Sequence, residues 1–371
     1  MPEVNELKYK TLFESLKRDI LSGKYNAENP IPSIKALMMR FGLSKNTVLH
    51  TLDELKHEGF ISRRQGRAST VTKLGASRKI GIIIPGICYS EIFPPICREL
   101  SQLAQKEGYS LLFGDLSSSD PKVRATQAKT LARKFSDEGV SGIIFQPIEF
   151  LKKSDAINQE ILSPFDASAI PVVLLDCDIV PSPNRSKYDI VGINNFEAGR
   201  RMAKHLREAG VRNAAFLMKP NSDYSIQSRF EGARSVFQGK GLRFTAIDID
   251  PKDEKAVRRF LKRKPAPEAV VCRNDALAAH LLVSLRKIGK RIPDDVMVAG
   301  FNDVTYASIV EPTLTTIHLP CAEIARKAFG LLLARVANPE SAVVEVSLNA
   351  PLVVRNSTKN IRGETIEKVG R

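Results

Sequence analysis

The stretch Pro32-Ser33-Ile34-Lys35-Ala36-Leu37 … Phe41-Gly42-Leu43-Ser44-Lys45-Asn46-Thr47-Val48 reads as two capped helices separated by a tight glycine turn. Ser33 and Ser44 stand where an N-cap is expected, since each hydroxyl can take up an N–H that the first helical turn leaves without a partner. Gly42 supplies the permissive backbone between the helices. Two helices joined by so short a turn form a helix-turn-helix, a unit whose second helix can enter a DNA major groove.

The flanking sequence extends this unit in both directions. A first helix is predicted from about Lys8 to Ser22, with Leu12, Leu16 and Ile20 on one face beside Phe13. Gly23 ends it, and Pro30 and Pro32 confine the connection that follows. The second helix buries Leu37 and Phe41, with Met38 beside them. The third turns Val48, Leu52 and Leu55 inward, which leaves Lys45, Asn46, Thr47 and His50 at its solvent-facing amino end. After Gly59, two β-prone segments flank Gln65-Gly66 and carry Arg63, Arg64 and Arg67. Such a hairpin is either a solvated charged turn or a cationic wing for a phosphate backbone or minor groove. A wing directly after a helix-turn-helix is the more specific signal.

At 371 residues, with 43% hydrophobic and 26% charged residues, the chain has the composition of a soluble globular protein of two or three domains. Lys and Arg outnumber Asp and Glu by 56 to 41, for a net charge of +15. That balance favours phosphate-bearing partners without separating DNA from RNA or an anionic membrane. The amino end, Met1-Pro2-Glu3-Val4-Asn5-Glu6, lacks the apolar run of a secretory signal, and stretches such as Ile80–Ile87 are only strand-length. Five cysteines lie scattered, with no Cys-x-x-Cys and no His/Cys cluster. Free thiols in a reducing cytoplasm are therefore expected, with no metal and no cofactor.

Beyond a linker over 74–79 the sequence alternates strand-like and helical segments, beginning with Ile80–Pro85 and continuing to Val296–Phe301. Near-continuous apolar strands alternating with helices imply parallel sheets covered on both faces. Two successive arrays with a seam near Asn194-Asn195 predict two Rossmann-like lobes, with a ligand between them beyond the strand ends. Tyr89, Ser90 and Phe93 follow the first strand and Gln146 the third; Asn274, Asp275 and Asn302 follow later ones. Planar polar groups beside aromatic faces suit a sugar, whereas helix capping is the alternative role for Asn274 and Asp275.

These motifs carry two resemblances. The segment Tyr9–Val71 resembles the winged helix-turn-helix heads of the GntR family through Ile31-Pro32-Ser33, Phe41-Gly42-Leu43-Ser44, Thr47-Val48, Leu52-Asp53-Glu54-Leu55, Glu58-Gly59 and Gln65-Gly66. The resemblance implies DNA contacts from Lys35, Ser44, Lys45, Thr47 and Gly66. The family's usual arginine after Thr-Val is Leu49 here, and a usual wing glycine is Ala68. An apolar residue at 49 suits a thymine methyl better than guanine.

Residues 79–355 resemble the sensor of the LacI/GalR family, related to periplasmic sugar-binding proteins. The matches are Val191-Gly192-Ile193-Asn194-Asn195 … Gly199, Arg229-Phe230-Glu231-Gly232, Asn274-Asp275-Ala276-Leu277-Ala278, Gly300-Phe301-Asn302-Asp303 and Pro312-Thr313-Leu314-Thr315-Thr316-Ile317. By that resemblance Arg229, Asn274 and Asn302 contact the effector, although Asn302 replaces the usual aspartate. A GntR-like head on a LacI-like sensor is the arrangement of arabinose-repressor-type regulators.

The expected organisation is a small α+β winged helix-turn-helix domain over 1–73, the linker, an α/β periplasmic-binding-protein-like sensor over 80–360, and a tail over 361–371. The expected function is a cytoplasmic, homodimeric, sugar-responsive regulator of operator DNA, a repressor in preference to an activator. An enzyme-derived body would need a Schiff-base lysine in a longer chain, and a transport protein would need a secretory signal and no DNA-binding head.

Overall fold

The computed structural model describes residues 2–21, 24–26, 29–57, 59–63, 69–71, 79–87, 90–114 and 116–358. The amino-terminal domain comprises α1 (Pro2–Leu21), α2 (Ile34–Phe41), α3 (Lys45–His57), β1 (Ile61–Ser62) and β2 (Thr70–Val71). Ser33 Oγ caps α2 by accepting from Ala36 N at 3.2 Å, and Gly42 closes it in the left-handed region with φ of 63°. Ser44 Oγ accepts from Thr47 N at 3.2 Å and opens α3. Leu12, Leu16, Ile20, Leu37, Val48, Leu52 and Leu55 meet in one core, to which Ile61 adds the base of the hairpin. There Ile61 pairs with Val71 and Ser62 with Thr70, antiparallel. Helix α1 begins at Pro2, a turn and a half before the apolar periodicity becomes visible. Gly23 and Gln65-Gly66 lie outside the described residues.

The body contains two six-stranded sheets. The first lobe runs β3 (Lys79–Ile83), α4 (Phe93–Lys106), β4 (Ser110–Phe113), α5 (Pro121–Asp137), β5 (Gly142–Phe145), α6 (Ser154–Ala167), β6 (Val172–Leu175) and β7 (Asp189–Ile193). The second runs α7 (Asn195–Glu208), β8 (Asn213–Leu217), α8 (Tyr224–Val236), β9 (Arg243–Ile247), α9 (Glu254–Leu261), β10 (Ala269–Cys272), α10 (Asp275–Lys287), β11 (Met297–Asn302), α11 (Thr305–Ile309) and β12 (Thr315–His318). Strands β5, β6, β7 and β10 are buried along their whole length, as helices on both faces of a parallel sheet require.

The lobes are not two successive arrays. After β12 the chain returns: α12 (Cys321–Ala337) packs on α4 and on β5, β6 and β7 of the first lobe. Strand β13 (Glu345–Leu348) then adds parallel to β7, and β14 (Leu352–Val353) crosses back to pair antiparallel with β12. The sheet orders are therefore β4-β3-β5-β6-β7-β13 and β9-β8-β10-β11-β12-β14. Arg335 of α12 locks this return by a bidentate pair to the buried Asp189, at 2.9 and 2.7 Å. Helix α6 has no counterpart in the sequence reading, and a proline within such a stretch ordinarily breaks a helix. Pro164 sits inside the helix nonetheless, and Ser163 Oγ donates to Glu160 O at 2.9 Å, the carbonyl that lacks an N–H from residue 164.

The two parts of the molecule touch at Gly59, whose φ is 76°. A Cβ there would lie 2.6 Å from Val336 O, so the turn after α3 rests on the carboxyl end of α12. No described helix is long and apolar enough to cross a membrane.

Candidate functional site

The amino-terminal domain presents Lys35, Ser44, Lys45, Asn46 and His50 to solvent around the start of α3, with Thr47 half-buried among them. Ser44 Oγ and Thr47 Oγ1 share a hydrogen bond of 2.8 Å, so both hydroxyls are tied to the helix start. The His50 ring packs edge-on against Tyr9 with centroids 4.9 Å apart. Arg63 is held by Asp53 at 2.5 Å, which offsets its charge in the free protein. Arg64, Gln65, Gly66 and Arg67 fall outside the described residues. Met39, one helical turn after Lys35, is 77% exposed and had no place in the sequence reading.

The second candidate site lies between the lobes, and its floor is set by helix packing. Helices α7 and α8 cross backbone to backbone: a Cβ on Gly199 would lie 1.9 Å from Arg229 O, and one on Gly232 1.9 Å from Phe196 O. This crossing brings Arg229 of α8 against Asn195 of α7. Arg229 is 5% exposed; its Nε donates to Asn195 Oδ1 at 2.7 Å and its Nη1 to Arg273 O at 3.2 Å. Its Nη2 stands 3.9 Å from Asp176 Oδ1, and the guanidinium lies 4.9 Å over the Phe301 ring. Arg229 thus joins the first lobe, the crossover and the second lobe.

Ser90, Phe93, Gln146, Arg229, Asn274, Asp275 and Asn302 all line one cavity of about 270 Å³, whereas Tyr89 is outside the described residues. The polar groups differ in how far the protein already uses them. Asn274 Oδ1 caps α10 by accepting from Leu277 N at 3.0 Å. Asp275 accepts from Thr316 Oγ1 at 2.6 Å and from Val304 N at 3.0 Å, so both oxygens are engaged within the second lobe. Burial still pushes its carboxyl up to about 7. Asn302 ends β11 with φ of 110°, a backbone that few side-chain-bearing residues adopt.

Arg124, Glu149, Phe150, Asp176, Asp223 and Arg273 also line the cavity, and sequence reasoning did not single them out. Glu149, Asp176 and Arg273 stand in the segments just after β5, β6 and β10, so the strand-end rule could have found them. Arg124 sits on a helix and carries no such signal. Four buried atoms here have no hydrogen-bond partner among the described residues: Arg124 Nε, Gln146 Oε1, Glu149 Oε2 and Arg273 Nε. Buried polar groups are costly when unpaired, so a cavity that collects two donors and two acceptors is built to be filled by something that does both.

The lobes meet over this cavity. Phe150 N of the first lobe donates to Asn221 O of the second at 2.8 Å. Arg273 lies 4.9 Å over the Phe150 ring and 3.9 Å from Glu149 Oε1. At the opposite rim the Glu91 carboxyl pushes the exposed Tyr306 hydroxyl above its ordinary pKa. Among the described residues no group of His, Cys, Asp and Glu is arranged to hold a metal ion.

With this geometry in place, comparisons with known proteins agree in both parts. Residues 8–71 match the bacterial regulatory proteins of the gntR family, and residues 203–358 match a periplasmic binding protein-like domain. The arabinose metabolism transcriptional repressor of Geobacillus stearothermophilus is 27% identical over 377 residues, covering 97% of this chain and 100% of that protein. Its namesake from Halalkalibacterium halodurans is 26% identical, covering 97% and 98%. A LacI family transcriptional regulator from Enterococcus faecalis, solved with bound ribose, superposes with a TM-score of 0.64 at 26% identity. It covers 76% of this chain and 98% of its own.

Proposed function

We propose that this chain, a gntR-family DNA-binding domain joined to a periplasmic-binding-protein-like body, is a transcriptional repressor whose operator affinity is set by a sugar held between the lobes. The observation that carries the effector reading is the set of unpaired donors and acceptors turned into the cavity. A hydroxyl both donates and accepts, so a polyol can satisfy the Arg124 and Arg273 N–H groups and the Gln146 and Glu149 oxygens together. Ile92 and Phe93 supply apolar wall for the C–H faces of a sugar ring. The names of the relatives, arabinose repressors and a ribose-bound regulator, support the same class.

In this reading Lys35, Ser44, Lys45, Asn46, Thr47 and His50 meet DNA, with Arg63 to Arg67 as the wing. Leaving Asp53 for a phosphate frees Arg63 for the backbone. Ser90, Phe93, Gln146, Arg229, Asn274 and Asn302 surround the sugar beside Tyr89, while Asp275 braces the second lobe. The chain acts in the cytoplasm as a homodimer, with two heads placed on a near-palindromic operator. A sugar that binds closed lobes more tightly than open ones shifts that equilibrium, and only this differential affinity can alter DNA binding. The contact between Gly59 and the end of α12 offers a direct route from the body to the recognition helix.

A mobility-shift titration of the full chain on its own promoter region, with pentoses and hexoses added in turn, tests the reading. Release of the DNA by one of them is expected. If none alters binding at any concentration, the effector role fails; enhanced binding would make the sugar a co-repressor or activator instead.

A further inference from the structure

Residues 1–73 hold 13 Lys and Arg against 8 Asp and Glu, so most of the chain's net charge of +15 lies outside the head. A dense concentration is Lys252–Lys264 of the second lobe, where seven cations stand against Asp253 and Glu254. Those thirteen residues are as positive as the whole head.

Helix α9 sorts these charges to one side. Val257 and Phe260 turn inward to the lobe's core, whereas Lys255, Arg258, Arg259 and Lys262, spaced i, i+3, i+4 and i+7, share the exposed face. Arg263 and Lys264 extend the stripe and are exposed as well. The two acids are already engaged: Asp253 Oδ1 caps the helix by accepting from Lys255 N and Ala256 N at 2.9 and 3.1 Å, and Glu254 pairs with Lys287 of α10 at 3.6 Å. Among the described residues no acidic group pairs with any of the four stripe side chains. Like charges at these spacings repel, beyond what the carboxyl end of a helix needs to complement its dipole. They span about 10 Å, one Debye length at about 0.1 M salt, so they act as one charged surface.

The stripe lies at the pole away from the head. The cavity collects residues that follow β5, β6, β10 and β11, so the amino ends of both sheets point outward. Helix α9 ends at the amino end of β10, where Asn213 Nδ2 donates to Pro265 O and Ala266 O at 2.9 and 2.7 Å. Exposed Arg212 and Arg243 stand there too, joined by a backbone bond of 2.8 Å. The head instead rests on α12 of the first lobe. No exposed large hydrophobic residue lies between positions 251 and 268, whereas a protein partner would need apolar anchors.

We propose that this face of α9 is a second DNA-contacting surface, which takes the phosphate backbone of a duplex segment other than the one under the heads. It goes beyond the repressor reading and requires no sugar. A duplex carries one charge per ~1.7 Å of its axis, so four cations over about 10 Å meet several phosphates whatever the sequence. Operator-bound protein then holds a further stretch of the same molecule, whose high local concentration offsets the weakness of so small a contact.

The full chain is loaded on an immobilised operator duplex and offered a labelled duplex of random sequence. Capture of the second duplex is expected, with an affinity that falls about a hundredfold between about 50 and 200 mM salt, the response of about four phosphate contacts. The quadruple variant Lys255→Gln, Arg258→Gln, Arg259→Gln, Lys262→Gln should load on the operator as the wild type does and lose capture. Arg258→Gln with Arg259→Gln should lower the slope of log affinity against log salt by about 2, and this pair carries the test should the quadruple variant fail to fold. Lys255→Arg with Lys262→Arg keeps the charge and should capture like the wild type. Absence of capture by the wild type overturns the proposal, even if the protein sediments with phosphatidylglycerol vesicles. So does capture that survives in both glutamine variants, because a free head would then hold the second duplex.

Discussion

Adding one methyl group at position 232 tests how the site is built. In Gly232→Ala the new Cβ would stand 1.9 Å from Phe196 O, about 1.4 Å closer than the ~3.3 Å at which C–H groups and carbonyl oxygens ordinarily meet. The obstacle is backbone, so no rotamer change can relieve it, and helices α7 and α8 must move apart by about 1 Å or more. Overpacking of this kind costs about 1–3 kcal/mol, and rigid neighbours put it at the upper end. At about 2–4 °C per kcal/mol for a body of this size, the melting temperature should fall by roughly 5–10 °C.

The same displacement carries Arg229 away from Asn195. Their bond of 2.7 Å would pass beyond hydrogen-bonding range. Operator binding should then persist while its response to sugar is lost. Gly330→Ala is the matched control: Gly330 is exposed in the middle of α12 with nothing within 4 Å of its Cβ position. Alanine there should stabilise by about 0.5–1 kcal/mol through helix propensity alone. Calorimetry of the two variants decides the matter: if Gly232→Ala melts with the wild type, or Gly330→Ala falls equally far, the crossing is not what seats Arg229.

Arg229→Ala leaves Asp176 without its guanidinium neighbour, and loss of a buried charged partner costs about 3–5 kcal/mol; a folded variant should give an operator complex that no sugar dissolves in a mobility-shift gel. Lys45→Ala should weaken operator binding and reduce the slope of log affinity against log salt by about 1, with sugar-induced thermal shifts unchanged; an unaltered salt slope would remove Lys45 from the phosphate contacts. Arg335→Ala strips the buried Asp189 of its bidentate partner and should destabilise the first lobe by about 3–5 kcal/mol. A chemical denaturation curve superimposable on the wild type would show that the pair is dispensable.

What the sequence determined by itself was everything encoded over short distances. The caps Ser33 and Ser44, the left-handed Gly42 and the inward face of Val48, Leu52 and Leu55 are local signals, and the head forms as they dictate. The alternation of apolar strands with helices likewise announced parallel sheets, since strands buried on both faces must be apolar throughout. Strand ends located part of the cleft for the same reason: a residue just past a parallel strand must face the crevice.

Only the tertiary structure decided how the lobes are shared and what the cleft is made of. That α12 and β13 complete the first lobe depends on pairing partners far apart in the chain, to which no local periodicity is sensitive. Gly199 and Gly232 look like ordinary helix-weakening glycines until two backbones meet across them. The balance of charge in the cavity is likewise unreadable from composition, because Glu149, Asp223 and Arg273 alter one another through distance and burial, quantities that exist only once the lobes have closed.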